Sequence, residues 1–300
     1  LHLSLRRQRQ MCIRDRIYNS DKISRQEIAD QLGLSLPTVN QNLKMLMEDG
    51  LIEYVGNFTS TGGRRAQAIT IDNNARKAIS VNIKADYINV DVVGLKGQII
   101  YSMAVKAHFS KSRAYIEKLT DAVRHAVDYV GADADDILGV GVTVPGILDD
   151  EKQILISAPP LKAKNYDFTR LISAIDYPVV VMNDARAEAY ADHWFNGKPE
   201  DEKIYIMLGE GVGGAYINAS AIRNGVHNRG GEFGHMVIHP GGKQCLCGKK
   251  GCFEAYVSEK VLSSELDMTL DNFFELAAQG NKNNSNVLDE YMDNLALGIN

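Results

Sequence analysis

The hydrophobic pattern becomes regular at Ser24, from where apolar residues recur at the three- and four-residue spacing of short amphipathic helices. Ser24, followed three residues later by Glu27, has the form of a capping box and predicts the start of a first helix. Ile28 and Leu32 share one face of that helix, and Gly33 permits a tight turn after it. This stretch therefore predicts the first half of a helix-turn-helix unit.

A second helix is predicted directly after the turn, and its two faces differ in polarity. Its buried stripe is formed by Val39, Leu43 and Leu46. The opposite face carries residue types that can reach base edges or phosphates from the front of a recognition helix. Together with the predicted cap residue, the candidate DNA-contacting residues on this helix are Ser35, Pro37, Thr38, Asn40, Gln41 and Lys44.

Two strand-like runs follow Gly50 and enclose a flexible tip with two glycines and two arginines. This order of elements is typical of a winged helix. Arg64 and Arg65 lie at the tip, where a guanidinium group can contact phosphate or a narrow minor groove. An ordinary small helical domain with a solvated hairpin is the alternative, although the wing stands where a DNA-binding domain requires it.

Residues 1–16 do not fit the pattern that follows them. A winged helix needs a first helix packed on the other two, and only the Ile17–Tyr18 end of one is convincing in the sequence. The run R-Q-R-Q-M-C-I-R-D-R resembles translated adapter sequence, so Cys12 and the early arginines are uninformative about function. We expect residues 1–16 to be an unreliable leader and residues 17–72 to form the winged helix domain.

The pattern of residues 78–300 predicts a second domain of the α/β class, because strands and helices alternate along it. Residues 78–101 alternate apolar and polar positions around glycine turns, as consecutive antiparallel strands do. The further predicted elements are a helix over 112–130, a buried strand and tight loop over 137–147, a strand over 177–184, a helix over 185–196, and two strands with a glycine-rich turn over 204–218.

Two polar residues stand where the predicted strand 177–184 ends and the next helix begins. Asn183 and Asp184 occupy the position at which open α/β sheets usually hold ligand groups. Capping of the helix by Asp184 is the alternative. The glycine-rich turn within 204–218 can present backbone N–H groups to an anion, or it can simply close a hairpin.

Three of the four cysteines lie in the run C-L-C-G-K-K-G-C, ten residues after a histidine. One imidazole and three thiolates make a complete tetrahedral zinc set, and a closed set of four protein ligands is structural. The predicted ligands are His235, Cys245, Cys247 and Cys252. Free cytosolic thiols beside an unrelated histidine are the alternative.

Composition and charge narrow the class of protein. A chain of 300 residues with 45% hydrophobic content suits two or more domains with their own cores. No run of eighteen apolar residues and no signal-peptide pattern is present, so we expect a soluble cytoplasmic protein. Residues 1–76 hold 11 Lys and Arg against 8 Asp and Glu, and residues 77–300 hold 22 against 30. We therefore expect any contact with a polyanion to be made by residues 1–76.

These stretches together resemble the ROK family of sugar kinases and sugar-responsive repressors over roughly residues 17–300. The most specific part is G-G-E-F-G-H followed by C-L-C-G-K-K-G-C-F-E. The resemblance implies an actin-like (ribonuclease H-like), two-lobed sugar kinase fold over residues 78–300, preceded by the winged helix of the repressor branch. It also implies a domain truncated at its carboxyl end, because Y-M-D-N-L-A-L-G-I-N resembles the helix before the family's last strand.

The resemblance further implies a sugar cleft. The residues that correspond to the family's sugar contacts are Asn183, Asp184, Glu232, His235 and Glu254, with the Val144–Gly146 loop lining the same cleft. Carboxylates, an amide and an imidazole can each take paired hydrogen bonds from sugar hydroxyls. Asp184 would be the general base in a kinase of the family, and His235 would be shared between zinc and sugar.

The nucleotide side departs from the family's pattern at two positions. Kinases of the family have a D-x-G-G-T-like loop where this chain reads N-I-K-A-D, and Lys84 and Ala85 replace glycines that let the backbone approach phosphate. Glu210 adds negative charge to the second phosphate loop. We therefore expect neither ATP nor Mg²⁺ to bind, the alternative being that Asp86 substitutes for the absent acid through a shifted loop.

The leading hypothesis is a repressor whose sugar-kinase-like body senses a monosaccharide or sugar derivative and alters the binding of paired winged helices to operator DNA. We expect a homodimer, because a two-fold operator needs two winged helices. An ATP-dependent cytosolic sugar kinase with a fused winged helix is the enzyme alternative, with Asp184 as its base. A sugar-binding module without either activity is the third.

Overall fold

The computed structural model of the chain describes residues 2–59, 65–198, 201–218, 221–264 and 268–300. A small amino-terminal head of three helices and two strands precedes the larger body. The elements of the head are α1 (His2–Tyr18), α2 (Arg25–Leu32), α3 (Leu36–Glu48), β1 (Ile52–Asn57) and β2 (Gln67–Ile71). Because β1 and β2 pair antiparallel after a helix-turn-helix, the head has the winged helix architecture that the sequence predicts.

The local signals at the two predicted helix starts are confirmed. Ser24 and Glu27 form both hydrogen bonds of a capping box at the start of α2. Gly33 ends α2 in the left-handed conformation, with φ at 60°, which a side chain would oppose. Ser35 caps α3 by accepting a hydrogen bond from the backbone N–H of Thr38. These residues fix where the two helices begin and how the chain turns between them.

The first helix differs from the expectation that only its Ile17–Tyr18 end is convincing. Helix α1 begins at His2, and both Ile13 and Ile17 are fully buried in the core of the head. They pack with apolar residues of α2, α3 and the wing strands, among them Ile28, Leu46 and Ile69. The arginine-rich remainder of α1 hides this periodicity in the sequence, so the domain boundary at residue 17 stays a prediction.

The body opens with a five-stranded sheet in the order β10-β6-β3-β4-β5. The elements of this part are β3 (Lys77–Ile83), β4 (Tyr87–Gly94), β5 (Ile99–Lys106), α4 (Arg113–Tyr129), β6 (Ile137–Val144), β7 (Ile147–Asp149), β8 (Ile154–Ala158), β9 (Ala163–Asp167), α5 (Thr169–Ile172) and β10 (Val179–Asn183). The first three strands form the predicted antiparallel meander, and β6 pairs parallel with both β3 and β10. Helix α4 packs on β4 and β5, and β7, β8 and β9 form a separate small sheet.

The rest of the body is built on a second sheet and a cluster of helices. Its elements are α6 (Asp184–Asn196), β11 (Glu202–Leu208), β12 (Val212–Asn218), β13 (Ala221–Ile222), α7 (Glu254–Val257), α8 (Glu259–Ser264), α9 (Leu270–Ala278) and α10 (Lys282–Ile299). Helix α6 contacts β6 and β10 of the first sheet and β11 and β12 of the second. It thereby joins the two halves of the body. None of the helices in the described residues is long and apolar enough to cross a membrane.

Head and body meet at the turn between β4 and β5, residues 95–98, which we call the junction turn. Leu95 packs against the apolar core of the head. The backbone N–H of Lys96 donates to the Asn73 side chain at 2.8 Å, and its ammonium donates to the Thr70 hydroxyl at 3.1 Å. A salt bridge of 3.0 Å between Arg76 and Asp136 adds a second connection. The head is thus seated on a specific feature of the body sheet.

Candidate functional site

The four side chains that the sequence predicts as a metal set lie together. Their ligand atoms are all within 4.8 Å of one another, from His235, Cys245, Cys247 and Cys252. A tetrahedral zinc ion with bonds of about 2.3 Å to sulfur would separate two sulfurs by about 3.8 Å, and a sulfur and a nitrogen by slightly less. The Cys247 and Cys252 sulfurs are 3.7 Å apart, as are the Cys245 sulfur and His235 Nδ1. The spacing of the donors therefore fits a tetrahedral metal ion.

Two short β-bridges and a sharp glycine turn bring these ligands together. Val237 bridges to Cys252, and Gln244 bridges to Lys250, which closes the loop on itself. Gly251, with φ at 81°, runs so close to the backbone of His239 that a Cβ at this position would lie 1.7 Å from its carbonyl oxygen. Only glycine fits that approach, and it places Cys252 next to the other ligands.

The pKa values of the three cluster thiols shift in different directions. Burial raises the pKa of Cys245 to about 12 and raises the pKa of Cys252 as well. Burial also acts on Cys247, but hydrogen bonds from the Lys249 backbone and the neighbouring thiols outweigh it and lower its pKa. Three thiolates at these distances repel one another, so a bound cation is what would keep all three deprotonated.

His235 faces the thiols with one ring nitrogen and a carboxylate with the other. Its Nδ1 lies 3.7 Å from the sulfur of Cys245, and its Nε2 lies 3.9 Å from Glu232 Oε2. Burial raises the pKa of Glu232, while the His235 imidazole and the Arg186 guanidinium oppose that rise. The imidazole thus stands between the cysteine cluster and the candidate cleft.

Glu254 connects the cluster to the glycine-rich turn between β11 and β12. One of its oxygens accepts a hydrogen bond of 3.0 Å from the backbone N–H of Val212, and the other lies 3.7 Å from the sulfur of Cys245. A Cβ at Gly211 would come within 2.9 Å of the same carboxylate. The absence of a side chain at Gly211 therefore lets Glu254, at the start of α7, reach across to the turn.

Asn183 and Asp184 lie at the carboxyl end of β10, where α6 begins, as the pattern predicts. Asn183 is the N-cap residue, and its Oδ1 accepts from the backbone N–H of Arg186 at 3.0 Å. Its amide group donates to the Gly146 carbonyl at 2.9 Å, which fixes the Val144–Gly146 loop beside it. Burial raises the pKa of Asp184, while the ammonium of Lys84 opposes that rise. Asp184 is thus a nearly buried carboxylate rather than the N-cap itself.

Arg186 is a residue of this region that sequence reasoning missed. It is 3% exposed, and it donates to Asp150 Oδ2 at 2.6 Å and to the Asn228 carbonyl at 3.1 Å. Asn224 donates to the same Asp150 oxygen at 2.9 Å. One guanidinium therefore ties the start of α6 to the β7–β8 hairpin and to the loop that leads to Glu232. A charged residue inside the first turn of an otherwise apolar helix face was the available signal.

The segments that depart from the family's phosphate-loop pattern are the turn after β3 and the turn between β11 and β12. Lys84 follows β3 directly, and its backbone N–H donates to the Tyr87 carbonyl at 2.9 Å. Asp86, the possible substitute acid, is engaged with His108 Nδ1 at 2.8 Å. Glu210 is exposed in the turn between β11 and β12. Both acids are thus exposed.

Most of the predicted DNA-contacting residues are exposed in the head. Pro37, Asn40, Gln41 and Lys44 on α3 are exposed, as are Ser35 before it and Arg65 near the wing; Thr38 is half-buried. Arg64 lies outside the described residues. Arg25, which the sequence pattern did not single out, lines a groove with Asn40, Lys44 and Tyr54 and donates to the Gln67 side chain at 2.7 Å. It thus connects the recognition helix side of the head to the wing.

Sequence comparison assigns two parts of the chain to known types of domain. A model of the ROK family matches residues 78–300, and a model described as winged helix-turn-helix DNA-binding matches residues 17–53. The xylose repressor of Bacillus subtilis is 28% identical over 94% of this chain and 75% of its own length.

Two solved structures share the fold. One is a ROK family transcriptional regulator, a homologue of the E. coli MLC protein, with a TM-score of 0.71 and 22% identity over 96% of this chain and 77% of that one. The other is a ROK family glucokinase from Streptomyces griseus in complex with glucose and AMPPNP, with a TM-score of 0.63 and 27% identity over 74% and 78%. The body therefore has the two-lobed, actin-like fold, preceded by a winged helix.

Proposed function

The chain belongs to the ROK family, and we propose that it is a DNA-binding transcriptional repressor in which a monosaccharide bound by the body controls the winged helix of the head. One combination of features supports this function. The body holds the polar pair His235 and Glu232 and the nearly buried Asp184, whose types suit sugar hydroxyls, and it is joined to a winged helix whose polar face is exposed.

The sugar would be held by side chains from three segments of the body. They are Asn183, Asp184, Glu232, His235 and Glu254. The two partly or fully buried carboxylates Asp184 and Glu232 have few protein donors, so hydroxyl groups of a ligand suit them. A sugar lacking one of those hydroxyls would leave a buried acceptor unpaired, which is the physical basis of selectivity.

A zinc ion would be held by His235 through Nδ1 and by the sulfurs of Cys245, Cys247 and Cys252. With four protein ligands it would hold the loop rigid and would carry no open position for chemistry. His235 would then present Nε2 to the sugar in a fixed orientation beside Glu232. The task of the metal in this proposal is to keep the sugar-contacting side chains in place.

A sugar kinase is the second candidate, and the nucleotide side of the body argues against it. Lys84 and Ala85 stand in the tight turn where the family's kinases use glycines to approach phosphate, and Glu210 adds a negative charge. The Asp86 carboxylate bonds His108. We therefore expect no ATP-dependent turnover, although Asp184 has the position of a base.

The partners of this function are operator DNA and a second copy of the chain. Operators read by helix-turn-helix proteins are two-fold repeats, so two heads bind them best. A cytoplasmic location follows from this role, and reduced cysteines in that compartment are free to bind metal.

The test combines two measurements on the whole chain. Thermal shifts with D-xylose, D-glucose and N-acetyl-D-glucosamine come first, since a ligand at about 100 times its Kd stabilises the folded state by about 2.7 kcal/mol. The affinity for a DNA fragment upstream of the chain's own gene is then measured with and without the most stabilising sugar. We expect one sugar to bind and to change the DNA affinity, and Glu232→Gln to remove both effects.

Two results would overturn the proposal. Sugar-dependent release of ADP at ordinary kinase rates would make the chain an enzyme. Sugar binding without any salt-sensitive DNA binding would reduce it to a sugar-binding module.

A further inference from the structure

Helix α6 begins in the candidate cleft and ends at the junction between body and head. Asn183 caps it and Asp184 is its first residue. Its thirteen residues span about 18 Å at 1.5 Å per residue. Phe195, next to its last residue, lies directly over Gly97 of the junction turn. One rigid element thus connects two places that the proposed function needs to communicate.

The junction turn is closely packed on two sides, against Phe195 of α6 and against Asn73. A Cβ at Gly97 would lie 2.6 Å from Cζ of the ring, and φ at this glycine is 79°, so the turn has no room to move towards the helix. Gly94, at the end of β4, is equally close to Asn73, since a Cβ there would lie 2.4 Å from its side chain. The turn is therefore in direct contact with the end of α6 on one side and with Asn73 on the other.

The same turn reaches the DNA-binding elements of the head. Lys96 donates to the hydroxyl of Thr70 on β2, and that hydroxyl donates to the Asp21 carbonyl at 2.9 Å, just before α2. Leu95 is half-buried and packs against the apolar core of the head. A displacement of the junction turn is thereby passed to the wing strand and to the segment that sets the start of the helix-turn-helix.

At the opposite end, Arg186 connects α6 to the parts of the cleft that would close on a ligand. It binds Asp150 of the β7–β8 hairpin and the Asn228 carbonyl, four residues before Glu232. The backbone of Arg186 is itself held by the Asn183 cap. One buried guanidinium therefore links the segment before Glu232 to the first turn of α6.

We propose that α6 and the junction turn form a mechanical link through which sugar binding in the cleft repositions the DNA-binding head. Arg186 and Phe195 are the positioning residues at its two ends. The link rests on the proposed function of the chain. Tightly packed contacts pass on small displacements because they do not deform continuously, which is the physical reason for a direct effect over this distance.

The adjacent residue provides a matched control for Phe195. Trp194 is 62% exposed and stacks on Tyr190 of the same helix, whereas Phe195 is 52% exposed and covers the glycine of the junction turn. Both substitutions to alanine remove a large, half-exposed aromatic ring from the end of α6. Only one of them removes a contact with the turn.

The experiment measures the ratio of DNA affinities with and without the sugar that stabilises the wild-type chain most, chosen among D-xylose, D-glucose and N-acetyl-D-glucosamine. Typical coupling between two sites changes affinity by about 5- to 150-fold. We expect Phe195→Ala to bring this ratio to within about twofold of one, while its sugar-induced thermal shift and its sugar-free DNA binding are retained. Trp194→Ala and Phe195→Leu should keep the wild-type ratio.

A wild-type ratio in Phe195→Ala would overturn the link, and so would loss of sugar binding in that variant, because Phe195 would then act on the cleft itself. A wild-type chain that binds no sugar, or whose DNA affinity is the same with and without the sugar, overturns the proposed function instead. These two failures are therefore distinguishable.

A double-mutant cycle tests whether the contact itself transmits the signal. Gly97→Ala pushes a methyl group into the Phe195 ring, so it should shift the sugar-free DNA affinity, and Phe195→Ala should relieve part of that shift. Additive effects of the two substitutions on DNA affinity would show that the ring and the turn act independently, and would overturn the link.

Discussion

Asp184 is nearly buried at the start of α6, so the stability of the folded chain should depend on the protonation state of its carboxyl group. Burial raises its pKa, against the opposing effect of Lys84 and with Glu188 adding to the rise. The folded chain therefore holds the Asp184 proton more tightly than the unfolded chain does. The stability that this provides is complete below about pH 4, the ordinary pKa of an aspartate, and is lost as the pH rises through the raised value.

We predict that Asp184→Asn, which keeps the Oδ1 acceptor for the Ala185 N–H, raises the Tm at neutral pH and loses this advantage as the pH falls towards about 4. Thermal unfolding of both chains across that range measures it. Asp167→Asn is the control with the opposite sign, because hydrogen bonds from Thr169 lower the pKa of Asp167. A Tm difference for Asp184→Asn that does not vary with pH would contradict the prediction.

Cys247 is the second residue whose chemistry can be isolated. A structural metal contributes its binding free energy to folding, so removing one ligand should weaken metal binding and lower the stability of the folded chain. We predict that Cys247→Ser lowers the Tm and the zinc content of the purified chain, and that a chelator lowers the wild-type Tm to a similar value. Cys12→Ser, at an exposed cysteine outside the cluster, should change neither. An unchanged wild-type Tm after chelation would remove zinc from the proposal.

At the scale of elements, the loop that carries the cysteines depends on two glycines with different surroundings. Gly248 and Gly251 both have positive φ, at 93° and 81°, but only Gly251 lies against another backbone. We predict that Gly248→Ala costs about 1 kcal/mol from backbone strain alone. Gly251→Ala should cost clearly more and release the metal, because the new methyl group meets the His239 carbonyl. Equal losses of stability in chemical denaturation would show that packing of this loop does not position Cys252.

Elements with local signals could be predicted from the sequence, and elements that depend on distant contacts could not. Ser24, Gly33 and Ser35 place the helix-turn-helix because caps and a left-handed glycine act within a few residues. The cysteine cluster follows from its spacing in the same way. Arg186 was missed because its partners, Asp150 and Asn228, are 36 and 42 residues away.

Helix α1 and the junction turn illustrate the same limit. Ile13 is buried only because α2 and α3 pack over it, and its polar neighbours show no amphipathic stripe. Leu95 has the sequence surroundings of an ordinary hairpin-turn residue, and nothing near it in the sequence indicates that it packs against the core of another domain. Tertiary contacts decide both positions, so propensity and periodicity leave them open.

For the whole molecule, the charge division between a basic head and an acidic body predicts how binding to DNA responds to salt. Each lysine that neutralises a phosphate releases counterions and steepens the slope of log affinity against log salt by about 0.9. Lys44 is exposed on α3, so we predict that Lys44→Gln reduces the slope by about that amount. Lys152→Gln, an exposed lysine of the body, is the control and should leave the slope unchanged. An unchanged slope in Lys44→Gln would remove Lys44 from the DNA-contacting set.

The packing of Leu95 against the head core has a consequence for building chimeric regulators. Residues 17–72 look like a separate domain in the sequence, yet a half-buried side chain that the body supplies, Leu95, packs against their core. A hybrid that exchanges only those residues between relatives would pair the head core of one protein with the junction turn of another. The transplant that preserves function should carry residues 95–98 with the head, although they lie in a different domain and more than twenty positions further along the chain.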